Sequence, residues 1–228
     1  MPLPAYAELF YGLNLTEEQR AYADAIFDKQ LVFVNARSGS GKTTIAVGCA
    51  KILHEEAKRK GNPNGRPLVY IFSPVEEKKM GYRPGNQQEK ELEYLQPLKD
   101  ALLEIGENPE QVIFSPEAMQ NKRNLDNVWV YAKSHVFARG TNIKDSTVII
   151  AEAQNFTRGE LKKVLTRIHD SCTVIVEGHD GQCDLPDPKK SGFVPYMEWF
   201  KNEPYVAICK LTKNFRGRLA QKADEFTW

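Results

Sequence analysis

Between an apolar run at residues 31–35 (LVFVN) and a helical stretch at residues 44–50 (TIAVGCA) lies the turn ARSGSGKTT, residues 36–44. Few short segments constrain a fold so strongly. The pattern is that of a phosphate-binding loop, G-x-x-x-x-G-K-S/T, with Ala36 at the first glycine position and Gly41, Lys42 and Thr43 matching the rest. Such a loop works only when a strand delivers it and a helix leaves it. Its backbone N–H groups must converge on one anion, and the helix N-terminus must point at the same place. Gly39 and Gly41 supply the permissive backbone and the close approach. Arg37, Ser38, Gly39, Ser40, Gly41, Lys42, Thr43 and Thr44 are therefore the expected phosphate-binding set. Lys42 would reach the β- and γ-phosphates of a nucleotide, and the Thr43 hydroxyl would coordinate Mg²⁺.

The rest of the chain alternates short β-branched runs with helical patterns. Strands are expected at 31–35, 68–73, 112–115, 128–132, 146–150, 173–177 and 205–211, and helices at 16–28, 42–57, 88–105, 157–168 and 214–226. Strands joined by helix-length crossovers predict an α/β fold, with a mostly parallel sheet covered by helices on both faces. Thr16, followed by Glu18 and Gln19, gives a capping signal for the first helix. Leu92, Leu95, Leu98, Leu102 and Leu103 fall at helical spacing and predict core packing. A length of 228 residues fits one domain. It divides into an N-terminal helical segment (1–30), a motif core (31–186) and a C-terminal strand and helix (187–228).

Composition excludes several other classes. The four cysteines show no metal-ligand spacing, so reduced thiols are expected rather than a zinc site or disulfide framework. No stretch is long enough to span a membrane, and residues 1–10 do not read as a signal peptide. These features lead us to expect a cytoplasmic, soluble protein. A net charge of +1 provides no overall field for nucleic acid, which leaves only local basic runs as candidates.

The second half of a nucleotide site should lie at the ends of other core strands. The run 146–150 leads into AEAQN, residues 151–155. A metal-holding Asp is expected at the first of these positions, and Ala151 cannot do its work. Glu152 keeps the role of polarising the attacking water. Gln154 and Asn155 follow as polar amides suited to sensing a γ-phosphate or a neighbouring polynucleotide. The run 173–177 leads into GHDGQCDLP, where Gln182 is the candidate for orienting water or for coupling the phosphate to bound substrate. His179 is either a γ-phosphate contact or a surface-loop histidine.

Taken in order, ARSGSGKT, SPVEEKKMGYRPG, ARGTNIKDS, AEAQNFT, LTR and GHDGQCDLP resemble the motifs of the PhoH-like, phosphate-starvation-inducible ATPases. The resemblance covers about two-thirds of the chain, from Leu31 to Pro186. It implies a single RecA-like core related to superfamily-1 helicases, using ATP and Mg²⁺. It further implies single-stranded RNA as a partner and a homo-oligomeric ring, a hexamer in its usual form. Gln19 would correspond to the glutamine that reads adenine, the alternative being a helix-surface glutamine. Arg216, with Arg218 second, is the candidate arginine finger, acting within the chain or across to a neighbour; a solvated pair is the plain alternative. Lys78, Lys79, Tyr82, Arg83 and Arg139 would contact nucleic acid, or else pack on a neighbouring subunit. The sequence departs from the family at Ala151 and at His179, both in place of Asp, and at Ser73 in place of Arg.

Three functions are compatible with these residues. The first is a Mg²⁺-dependent ATPase with Glu152, Gln182 and Arg216 as catalytic groups. The second is a nucleotide-binding switch or scaffold with little turnover, motivated by Ala151. The third is a P-loop kinase of a small molecule.

Overall fold

The strands are built from the apolar runs, and their order in the sheet decides where the loop ends up. The computed structural model describes residues 14–74, 87–116, 125–136 and 142–224, the side chains of 87–93 and 223–224 excepted. Six strands are seen among them: β1 (Leu31–Ala36), β2 (Leu68–Phe72), β3 (Val130–Ser134), β4 (Thr147–Ile150), β5 (Thr173–Gly178) and β6 (Val206–Leu211). They form one parallel sheet in the order β3-β2-β4-β5-β1-β6. β2 and β4 are buried along their whole length, as strands covered on both faces must be. On β6, at the edge, burial alternates in part.

Helix α1 (Glu17–Asp28) begins with a reciprocal cap. The Thr16 hydroxyl accepts from the Gln19 amide, and the Gln19 side chain accepts from Thr16 N–H. Its buried residues, Gln19, Tyr22, Ala23 and Ile26, form one stripe facing the sheet. Helix α2 (Lys42–Arg59) leaves the phosphate loop, and helix α3 (Gln87–Glu104) packs beside it. In α3, Leu98 and Leu102 are buried and Leu95 packs against the core, whereas Leu103 is 61% exposed. One residue on from Leu102, Leu103 is turned off the packed face. Leu92 lies outside the described side chains.

Helices α1, α2 and α3 cover one face of the sheet, over a core that includes Ile149 and Ile175. Helices α5 (Arg158–Leu165) and α6 (Phe193–Phe200) cover the other, over Phe33, Phe156 and Val176. Among the described residues, the other α-helices are the short α4 (Pro109–Val112), before β3, and α7 (Arg218–Asp224), after β6.

Three elements differ from the sequence reading. Residues 112–115 are not a strand. Asn108 caps α4 with Pro109 at its first position, and only Ile113 then makes an isolated bridge, to Val130. Helix α7 starts at Arg218 rather than at 214, because Phe215 and Arg216 are bonded to the phosphate loop and Gly217 turns the chain at φ +99°. Helix α6 was not foreseen. Its apolar sequence FVPYMEWF buries Phe193 and Met197 four residues apart, yet reads as an unpatterned run interrupted by proline.

Candidate active site

The phosphate loop follows β1, next to β5 and β6, at the C-terminal edge where α/β sheets bind ligands. Gly39 and Gly41 both adopt left-handed backbone, at φ +72° and +79°. Gly41 begins α2 without a side-chain cap, so the first amides of the helix remain available to an anion. Ser40 is buried, and its hydroxyl has no hydrogen-bond partner. Gln19 donates from Nε2 to the Ser40 carbonyl at 2.9 Å. Its amide therefore both caps α1 and holds the loop.

The C-terminal segment closes over the same loop. Phe215 N–H donates to the Gly39 carbonyl at 2.9 Å, and Arg216 Nη1 donates to Ser38 Oγ at 2.7 Å. A Cβ on Gly39 would lie 2.6 Å from Arg216 Cγ, so only glycine permits this approach. Arg216 thus reaches the loop of its own chain. Arg218 is exposed at the start of α7 and does not line the cleft. The cleft has a volume of about 530 Å³. Leu15, Pro97, Ala101 and Phe215 give it apolar walls, opposite the loop and Lys42. Thr44 turns its hydroxyl to Glu104 on α3.

At the end of β4, Glu152 adopts left-handed backbone, with φ 50° and ψ 46°, an uncommon conformation for a residue bearing a side chain. Its Oε1 lies 3.3 Å from Lys42 Nζ. Gln154 is buried and donates from Nε2 to Glu152 Oε2 at 2.7 Å, while its Oε1 accepts from His179 N–H at 3.0 Å. Gln154 therefore ties the end of β4 to the end of β5. Asn155 makes a two-point pair with Asp184, donating to its carboxylate and accepting from its backbone N–H. Gln154 is thus engaged in holding strand ends, and Asn155 in holding the loop that follows β5. His179 Nδ1 is buried without a partner, and Gln182 is exposed; neither lines the cleft.

Ala151 is buried at the point where the sequence wants a carboxylate. One strand over, Glu177 is fully buried. Thr43 donates from Oγ1 to its Oε2 at 2.8 Å, and Tyr22 donates to its Oε1 at 3.3 Å. Burial pushes the Glu177 carboxyl up to about 7, against the opposing pull of Lys42 and of the Thr43 hydrogen bond. Burial, reinforced by Glu177, likewise raises the Tyr22 hydroxyl well above its ordinary value. A threonine hydroxyl paired with a carboxylate is the hard oxygen donor set that Mg²⁺ takes, so these residues fit the ion.

The sequence reading missed Glu177, Tyr22, Asn214 and Phe215. One signal for Glu177 was present: an ionisable residue closing an otherwise apolar central strand. The candidate nucleic-acid residues Lys78, Lys79, Tyr82, Arg83 and Arg139 lie outside the described residues. Among the described residues no helix is long and apolar enough to cross a membrane.

The family described as PhoH-like protein matches residues 13–226. Protein PhoH of Escherichia coli K12 is 31% identical over 217 residues, covering 92% of this chain and 56% of its own length. A PhoH-like protein of Synechocystis is 33% identical over 201 residues, covering 87% of this chain and 56% of its own. The chain thus spans about half the length of these curated relatives. Among solved structures, the large terminase of a thermophilic bacteriophage superposes with a TM-score of 0.56 at 11% identity, over 93% of this chain and 50% of that one. At that identity it shows a shared fold alone.

Proposed function

This chain belongs to the PhoH-like protein family, and from that premise we propose that it binds ATP with Mg²⁺ in the cleft at the end of β1, hydrolyses it there, and couples this to single-stranded RNA. The observation that carries the reading is the convergence of Lys42, Glu152 and Arg216, from three separate segments, on one cleft beside the phosphate loop.

In this reading the loop amides and Lys42 take the β- and γ-phosphates, and the apolar walls receive the base. Thr43 would hold Mg²⁺, which would supply charge neutralisation to the phosphates. Lys42 exchanges Glu152 for the γ-phosphate. The freed carboxylate then accepts a proton from water as the water oxygen attacks the γ-phosphorus and the bond to the β–γ bridging oxygen breaks, giving ADP and inorganic phosphate. Gln154 holds Glu152 in place for that transfer. Arg216, already beside Ser38, neutralises charge on the transferring group from within the same chain. Gln19 has its amide bonded to Thr16 and Ser40 at the cleft edge, so we assign it first to holding the loop, with adenine as its further contact. His179 and Gln182 follow β5 into a loop tied to Gln154, and we assign them to coupling that loop with bound nucleic acid. The RNA part rests on the family resemblance and on the basic and aromatic residues between 73 and 85.

Ala151 favours a second reading, a nucleotide-bound switch without turnover. Measuring ATP binding and ATP hydrolysis with Mg²⁺, with and without single-stranded RNA, separates the two. Turnover raised by RNA supports the first reading, and tight binding with no turnover supports the second. Turnover that needs a small phosphate acceptor would instead make the protein a kinase.

A further inference from the structure

The end of β5 carries a charged group that the chemistry above does not use. Glu177 has none of its surface exposed, in a central strand that is otherwise apolar apart from its first residue. Burying a carboxylate costs heavily unless donors are aimed at it. Here two are, and one of them is the threonine of the phosphate loop.

The register explains the arrangement. Ile150 on β4 pairs with Val176 on β5, so Ala151 and Glu177 are the next neighbours along that pair of strands. In-register neighbours in a parallel sheet face the same side, about 4.8 Å apart. Ala151 packs in the core layer of Ile149 and Ile175, on the side covered by α1 and α2, and Glu177 meets Tyr22 of α1 and Thr43 of α2 there. β5 lies directly beside β1, with Val34 opposite Glu177, whereas β4 is one strand further from the phosphate loop. A carboxylate on β5 therefore reaches Thr43 without an intermediary.

We propose that Glu177 is the carboxylate that anchors the divalent cation beside Thr43, taking over from one strand away the task of the Asp missing at Ala151. The assignment rests on the nucleotide reading above. It also accounts for the alanine. An Asp at 151 would set a second carboxylate one strand spacing from Glu177, and like charges that close resist being ionised together. With the charge on β5, a small apolar side chain on β4 removes the conflict. The alanine at 151 and the buried carboxylate at 177 then belong to one arrangement of the site.

The test reads metal binding, not turnover. Mn²⁺ is titrated by electron paramagnetic resonance into the full chain carrying a non-hydrolysable ATP analogue, and the affinity for that analogue in EDTA is the reference. Glu177→Gln keeps the shape of the side chain but removes its charge and exchanges one acceptor oxygen for an amide donor. It is expected to lose on the order of 10–100-fold in Mn²⁺ affinity, with the EDTA reference unchanged. In a Glu177→Thr background, adding Ala151→Asp is expected to restore Mn²⁺ binding. Unchanged Mn²⁺ affinity in Glu177→Gln, with only a lower melting temperature, would make Glu177 a structural staple between helices and overturn the proposal. Failure of Ala151→Asp to restore Mn²⁺ binding in the Glu177→Thr background would count against it as well. If the wild-type chain binds no nucleotide in either condition, the nucleotide reading itself fails, which is a different result from an unchanged metal affinity in a chain that binds nucleotide.

Discussion

Lys42 Nζ and Glu152 Oε1 stand 3.3 Å apart, joining the lysine of the phosphate loop to the carboxylate at the end of β4. In the proposed reaction each group has a second task once nucleotide enters: the γ-phosphate takes the lysine as its partner, and the carboxylate is left to accept a proton.

The first prediction concerns that lysine. A charge-assisted hydrogen bond contributes roughly 1.5–3 kcal/mol, which is about a 10- to 150-fold effect on affinity. Lys42→Ala is therefore expected to weaken ATP binding by that order and to leave no detectable turnover, measured by calorimetry and phosphate release. Wild-type affinity in this variant would place the phosphates elsewhere.

The second concerns Arg216. Its contact with Ser38 lies within one chain. Arg216→Ala should lower the hydrolysis rate by about 10³-fold, in the range found for arginine fingers. Mixing this variant with Lys42→Ala chains should restore nothing, because each defective cleft keeps its own defect. Recovery of activity in the mixture would show that the arginine serves a neighbouring subunit.

The third concerns Gln154, whose two amide ends bridge Glu152 and the His179 N–H. Gln154→Leu removes both contacts and leaves a buried amide unpaired, at a cost of about 1–3 kcal/mol. We expect a lower midpoint in urea unfolding, together with a fall in kcat at nearly unchanged KM. Rescue of kcat by Gln154→Glu at low pH, where its carboxylic acid can donate, would identify the donated hydrogen bond as the part that positions Glu152. A loss of stability with kcat unaltered would reduce Gln154 to a structural tie.

The sequence made the strand–loop–helix of residues 31–59 legible because glycines, lysine and threonine stand at fixed offsets between two strong periodic patterns. It made the apolar strands β4 and β5 legible through their unbroken β-branched runs. The residues that the strand order brings beside the loop were not legible. Glu177 matters because β5 is the neighbour of β1, and nothing local to residue 177 says which strand adjoins which. Arg216 was found as a motif, but its placement over Gly39 in the same chain depends on β6 lying on the other side of β1. The short helix α4 escaped because four residues carry too little periodicity to outweigh β-branched neighbours.

The most direct test of the account is hydrolysis of ATP with Mg²⁺ by the wild-type chain and by Glu152→Gln, with ATP affinity measured alongside. A general base contributes about 10²- to 10⁴-fold. The wild type is expected to turn over, and Glu152→Gln to bind ATP as well or better while kcat falls by that factor. Equal turnover in the two proteins would contradict it.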